Sequence, residues 1–167
     1  EIKPILFNGD NYTKEWEAEA AKRGLPNYKT TPAALKALIT DKAIGLFEKY
    51  RVLSKVELLS RYLIYIEKYI KDLEIEVKCL NNICMTQVIP AAVAYEKKLS
   101  DAIGETLEIL DDGDLLSAQT EILKRIAGLI KQIYNRNKDI LAKVEKADAL
   151  HDEAKKAEML CSQVKPM

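Results

Sequence analysis

Ser54-Lys55-Val56-Glu57-Leu58-Leu59-Ser60-Arg61-Tyr62 opens a stretch, Ser54 to Leu110, on which the fold turns. Ser54 and Glu57 have the spacing of a capping box, each able to satisfy the other's backbone N–H. Behind them runs an apolar line: Val56, Leu59, Leu63, Ile66, Ile70, Leu73, Val77, Leu80 and Cys84. Its steps alternate between three and four, as in a heptad seam. No glycine or proline interrupts the run before Pro90. A helix over the whole stretch would be about 85 Å long at 1.5 Å per residue, so it needs partners along its length.

At Pro90 the pattern shifts instead of stopping. Leu80, Cys84 and Val88 are two successive four-residue steps, a stutter in the heptad. The line then continues through Ala91 or Ala92, Tyr95, Leu99, Ala102 and Thr106. One long helix kinked just before Pro90 is preferred over two helices broken at Gln87 to Ile89.

The remaining segments supply the partners. In front, Asn8-Gly9-Asp10-Asn11 is turn chemistry, and Thr13 is placed to cap a helix that stops at Gly24. Thr31 and Pro32 start a second short helix to about Ile39, and a third runs from Asp41 to Tyr50. Pro4 keeps the first residues out of a helix interior. Leu53 and Leu58 are spaced for a hydrophobic staple around the Ser54 cap. Behind, Asp111-Asp112-Gly113-Asp114 is a tight connection with Asp114 as the next cap, so the two main helices are antiparallel neighbours. Ile122, Ile126, Leu129, Ile133, Ile140 and Val144 line the returning helix, with Glu121–Arg125 and Asp139–Lys143 as pairs on its wet side. The same phase continues to Val164. Phase argues for one helix, whereas covering the flank of the first two argues for a turn near Ala147 to Asp152; the turn is the reading taken. The expected architecture is an all-α, long-helix antiparallel bundle of three main helices, the longest kinked near Pro90, preceded by short helices. Residues 1–53 form the lead-in and 54–167 the bundle, in one folding unit.

Composition agrees with that class. Of 167 residues, 48% are hydrophobic and 31% charged, with six glycines and five prolines. Twenty-six basic residues balance 26 acidic ones, which argues against a nucleic-acid footprint. No run of 18 apolar residues is present to span a membrane, and no signal peptide is recognisable. Three cysteines without disulfide-like spacing read as reduced thiols in a cytoplasmic protein. A first residue of Glu1 instead of Met suggests a segment of something longer.

The candidate chemical sites have plain explanations. Asp148 and His151 echo half of a di-iron motif, which needs its pair on a second helix, so His151 is expected on the surface. Cys79 and Cys84 are five apart and diverge on a helix. Asp111, Asp112 and Asp114 lack the rest of a calcium loop. Asn11-Tyr12-Thr13 is a sequon that matters only in a secreted protein. No catalytic, cofactor-binding or metal-ligating residue is assigned, since no phosphate loop and no nucleophile with a base occurs. Tyr62, Tyr65 and Tyr69 form an aromatic face beside the seam. Packing of the short helices and Trp16 is their plain role, contact with another domain or subunit their functional one. Arg61 could serve the same contact, which makes Trp16, Arg61, Tyr62, Tyr65 and Tyr69 the candidate interface.

A resemblance takes the reading further. Phe7-Asn8-Gly9-Asp10-Asn11-Tyr12-Thr13, Trp16, Lys22-Arg23-Gly24-Leu25-Pro26-Asn27 and Lys29-Thr30-Thr31-Pro32 with Ala34-Leu35 occur in order. Leu46-Phe47-Glu48-Lys49, Ser60-Arg61-Tyr62, Glu67 with Tyr69, and Ile89-Pro90-Ala91 follow. This set resembles the C-terminal portion of the type III glutamine synthetases, from about Phe7 to Leu99, with a weak echo at Val164-Lys165-Pro166-Met167. Thr13 stands where the family has Ser, and the tail is shorter than the family's. The resemblance implies a parent that is a cytoplasmic, ATP-dependent glutamate–ammonia ligase of nitrogen assimilation, using Mg²⁺ and built as a double-ring homo-oligomer. Its sites would lie in a catalytic domain upstream, and this segment would be inactive alone, serving packing or assembly against that domain and neighbouring subunits. By itself the segment is expected to be a monomer or weak dimer. The other reading is a stand-alone helical, coiled-coil interaction module. The ordered front-end motifs favour the first.

Overall fold

A computed structural model describes residues 5–110 and 112–165. The readings made for Pro4, Asp111, Pro166 and Met167 fall outside the described residues. The chain is all-α, with no strand among those residues, and divides into two compact units, Glu1–Tyr65 and Ile66–Met167.

In the first unit, helix α1 spans Lys14–Lys22. Asp10 builds the turn ahead of it, its carboxylate accepting from the Tyr12 N–H at 2.9 Å and its carbonyl from the Thr13 hydroxyl at 2.9 Å. Thr13 therefore holds the cap position without making a side-chain cap bond, contrary to expectation. The helix ends in a Schellman motif. Leu25 N–H donates to the Ala20 carbonyl and Gly24 N–H to that of Ala21, with Gly24 at φ +70°. Helix α2 covers Thr31–Lys36 and tightens into a 3₁₀ turn at Ala37–Ile39; its cap is Thr30, one residue before the expected Thr31. Helix α3, Asp41–Lys49, starts where the Thr40 hydroxyl accepts from the Ala43 N–H.

The end of α3 repeats the Schellman pattern without glycine. Val52 N–H donates to the Phe47 carbonyl and Arg51 N–H to that of Glu48, holding Arg51 at φ +53°. A β-carbon in that region costs about 1 kcal/mol or more, part of which glycine returns through its freer unfolded chain. Arg51→Gly is expected to raise stability by roughly 0.5–1 kcal/mol. A urea midpoint unchanged or lowered would refute this.

Helix α4, Lys55–Ile83, opens on the expected capping box. Ser54 N–H donates to Glu57 Oε2 at 2.8 Å, and Glu57 N–H to Ser54 Oγ at 3.3 Å. Those bonds, from the Ser54 backbone first and its hydroxyl second, hold the Glu57 carboxyl below its ordinary range. The seam that follows needs correction. Val56 is 76% exposed and Leu63 is also exposed, whereas Leu58 and Tyr62 are buried. Two adjacent apolar lines compete on these turns, and periodicity alone does not choose between them. The buried line steps by four from Leu58 to Tyr62, and in the second unit from Ile66 to Ile70; the predicted line resumes from Ile66 through Leu73 and Val77.

In the second unit, the strain at Pro90 is met by a π turn over Cys84–Val88, not by a break. Ile89 N–H reaches back five residues to the Cys84 carbonyl, and the Thr86 hydroxyl donates to that of Asn82. The widened turn absorbs the register shift seen at Leu80–Cys84–Val88 and makes room ahead of the proline ring. Helix α5, Ile89–Leu110, continues so that 56 residues are helical from Lys55 onward. Its half-buried line is Ala92, Glu96, Leu99, Ile103 and Thr106. Tyr95 and Ala102, expected inside, are exposed one residue out of phase.

Asp112, not Asp114, caps the return, accepting from the Asp114 N–H at 3.0 Å ahead of a 3₁₀ turn at Gly113–Leu116. Helix α6, Ser117–Asp148, then packs along α5. Ile122 and Leu129 are exposed and the neighbouring Leu123 and Ile130 turn inward. Of the two expected pairs, Asp139–Lys143 closes at 3.0 Å. The chain does turn after Asp148. Asp152 caps helix α7, Glu153–Met159, by accepting from the Ala154 and Lys155 N–H groups, and a second π turn follows at Leu160–Val164. The core of this unit is Ile66, Ile70, Leu73 and Val77 of α4, Ile140 and Ala147 of α6, and Ala157, Leu160 and Val164 of the last segment.

Candidate interface

The five candidate residues have different surroundings, four of them in the first unit and Tyr69 in the second. Trp16 is half-buried on α1, its ring 4.7 Å from that of Phe7 at 34°. The Arg23 guanidinium lies 5.6 Å over the Trp16 ring and is fixed at both ends: Nε meets Glu19 Oε1 at 2.8 Å and Nη1 donates to the Leu6 carbonyl at 2.6 Å. The Arg23 bond holds the Glu19 carboxyl below its ordinary range. Phe7, Arg23 and Glu19 were not singled out in the sequence as site residues, although Glu19 and Arg23 have the i,i+4 spacing that could have flagged them. Trp16 is thus one layer of a small half-exposed stack.

Gly9 explains part of the front-end motif. A β-carbon built there would come within 2.7 Å of the Phe7 ring edge. Gly9→Ala is expected to push that ring off Trp16 while leaving α1 helical. A red-shifted, more quenchable Trp16 emission would report it, and an unchanged spectrum would refute it.

Arg61, Tyr62 and Tyr65 separate by face. Tyr62 is 6% exposed and belongs to the core. Arg61 and Tyr65 are exposed and line a cavity of about 440 Å³ with Leu38, Phe47, Val52, Leu53 and Leu58. Leu53 and Leu58, the residues with staple spacing, both line this cavity. The sequence showed the tyrosines as one stripe; the burial of Leu58 puts Tyr62 inward and leaves Arg61 and Tyr65 at the rim.

Tyr69 belongs to the second unit and is half-buried there. No hydrogen bond of ordinary geometry reaches its hydroxyl, which is sealed from water. Burial first, and the Cys161 thiol beside it second, raise the phenol well above its ordinary range. Two polar contacts nearby were not read from the sequence. Asn137 is buried in the α6 line and its Nδ2 donates to Asn81 Oδ1 at 2.7 Å, tying α6 to α4. A polar residue at such a position fixes register. Lys156 bridges Glu74 and Asp148, each at 2.7 Å. Asp148 is therefore committed to a lysine, and His151 is exposed as expected. All three cysteines are free thiols.

Among the described residues no group of three or more His, Cys, Asp or Glu side chains is placed to hold a metal, and no helix is long and apolar enough to cross a membrane. Large apolar side chains are exposed on both arms of the α5–α6 hairpin, including Tyr95, Ile109, Ile122 and Leu129, and on the turns that precede each arm, at Val88 and Leu115.

Short helices in the first unit and an antiparallel α5–α6 hairpin in the second, with exposed apolar side chains, define an all-helical domain. Comparison with known proteins places it. The family model described as the glutamine synthetase C-terminal domain matches residues 1–106. A glutamine synthetase of Butyrivibrio fibrisolvens is 40% identical over 74% of this chain and 18% of its own length. The type-3 glutamine synthetase of Dictyostelium discoideum is 30% identical over 97% of the chain and 22% of its own length. A glutamine synthetase of Bacteroides fragilis (strain YCH46) is 31% identical over 78% of the chain and 18% of its own. The chain belongs to the glutamine synthetase C-terminal domain family, and spans about a fifth of the length of these relatives.

Proposed function

We propose that this chain is the C-terminal part of a type-3 glutamine synthetase, an ATP-dependent glutamate–ammonia ligase of cytoplasmic nitrogen assimilation. It serves packing and assembly of the parent and carries none of its catalytic groups. The observation that carries this reading is the family match over residues 1–106, which covers the whole front-end motif. No ATP or Mg²⁺ site is proposed within this segment. No acidic cluster converges among the described residues, and the sequence has no glycine-rich phosphate loop. Those cofactors are assigned to the rest of the polypeptide. The contacts proposed for this segment are the catalytic domain of the same chain and neighbouring subunits of a homo-oligomeric ring. The Phe7–Trp16–Arg23 stack, Arg61 with Tyr65, and the exposed side of the α5–α6 hairpin are the surfaces offered to them.

The test compares the full-length parent with and without Glu1–Met167. Sedimentation is expected to show smaller assemblies for the shortened enzyme while equilibrium ATP binding persists. Unchanged assembly would remove the packing role. Loss of ATP binding with assembly intact would place catalytic groups in this segment.

A further inference from the structure

The geometry points to the cavity behind Arg61 and Tyr65 as a binding site for a small monocarboxylate with an aryl or branched apolar body. The same Arg61–Tyr65 surface is offered above to the rest of the parent; ligand binding is therefore read on this chain directly, so its failure leaves the assembly test untouched. Its volume of about 440 Å³ is within the range of ligand pockets, roughly 300–1,000 Å³. Leu38, Phe47, Leu53 and Leu58 supply apolar wall, and Val52 continues it to the exposed edge. The only cation on the lining is Arg61, with the Tyr65 phenol beside it as a donor.

The Arg61 side chain makes no hydrogen bond or contact ion pair among the described residues, although its charge acts through space on the Glu57 carboxylate one turn before it. That carboxylate is engaged by the Ser54 hydroxyl at 2.7 Å and the Ser54 N–H. A planar guanidinium matches a carboxylate in a two-point contact. Charge count selects the monoanion. A phosphate dianion would face a single lining cation and leave one of its charges unmatched. An apolar body is required because the walls offer no other polar side chain to a second hydrophilic group.

The experiment titrates 2-naphthylacetate and its neutral amide into the isotopically labelled 167-residue chain and follows backbone amide shifts. Saturable shifts are expected around Leu38, Phe47, Leu53, Leu58 and Tyr65, with the amide at least tenfold weaker. Arg61→Gln should erase the difference between acid and amide. Leu53→Trp, which fills the cavity, should abolish both while circular dichroism confirms the fold. Acid and amide binding alike, no saturation into the millimolar range, or shifts centred elsewhere would each overturn the proposal.

Discussion

Leu160→Ala is expected to destabilise the second unit by about 3 kcal/mol or more, within the 2–5 kcal/mol seen for buried leucine truncations. Leu160 is fully buried, among the few side chains of the chain with no measurable exposure. It begins the π turn that follows α7, and that segment packs on α6. Its buried companions are small: Ala147 and Ala157 cannot spread to fill the space that a lost isobutyl group leaves. Helix α7 has seven residues, too few to persist in water without docking. The loss should therefore appear as a lowered urea midpoint together with faster amide exchange over Glu153–Val164. If the midpoint moved by less than about 1 kcal/mol, tertiary burial at Leu160 would not be what holds the last helix.

The parts of the fold legible in sequence were those fixed by local chemistry. The Ser54–Glu57 box follows from side chains that satisfy nearby backbone groups. The Gly24 stop follows from a left-handed residue that lets backbone groups close on one another. The turn before α7, by contrast, is legible only from the need to cover a flank, and its Asp152 cap was missed. The stutter at Cys84 also declared itself, because a proline and a register shift coincide there, and a π turn answers both. What stayed hidden was the choice between neighbouring apolar lines. Val56–Leu59–Leu63 and Leu58–Tyr62–Ile66 are equally apolar, and only the partner surface decides which is buried. The same ambiguity misplaced Tyr95, Ile122 and Leu129 by one residue. That slip matters for the candidate site. It is the burial of Leu58 that turns a tyrosine stripe into one core residue, Tyr62, and a rim of Arg61 and Tyr65. Contacts between residues distant in sequence, such as Asn81–Asn137, left no periodic trace beyond a polar gap between Ile133 and Ile140.

Lys156→Met carries the second large effect, expected at about 2 kcal/mol. That lies between the broken buried ion pair, about 3–5 kcal/mol, and the exposed pair, about 0–1 kcal/mol. The intermediate value follows from the surroundings. Lys156 and Glu74 are shielded, with side chains 14% and 21% exposed, whereas Asp148 is 49% exposed and can fall back on water. Methionine keeps the apolar stem, so the change isolates the charge and leaves Glu74 unpaired. A cycle with Glu74→Gln separates the pair from packing: the double variant should recover part of the loss. The pH dependence has a definite sign. Burial alone would lower the Lys156 pKa, but its bonds to Asp148 and Glu74 outweigh it and raise the value above 10.5. The stabilisation is therefore complete below about 10.5 and is lost as pH rises through the higher folded value. Wild type should lose stability on that alkaline limb faster than Lys156→Met, until their urea midpoints converge. If the two ran parallel across that limb, the burial of Ala147, Ala157 and Leu160 alone would be holding α7, and the lysine bridge would add nothing.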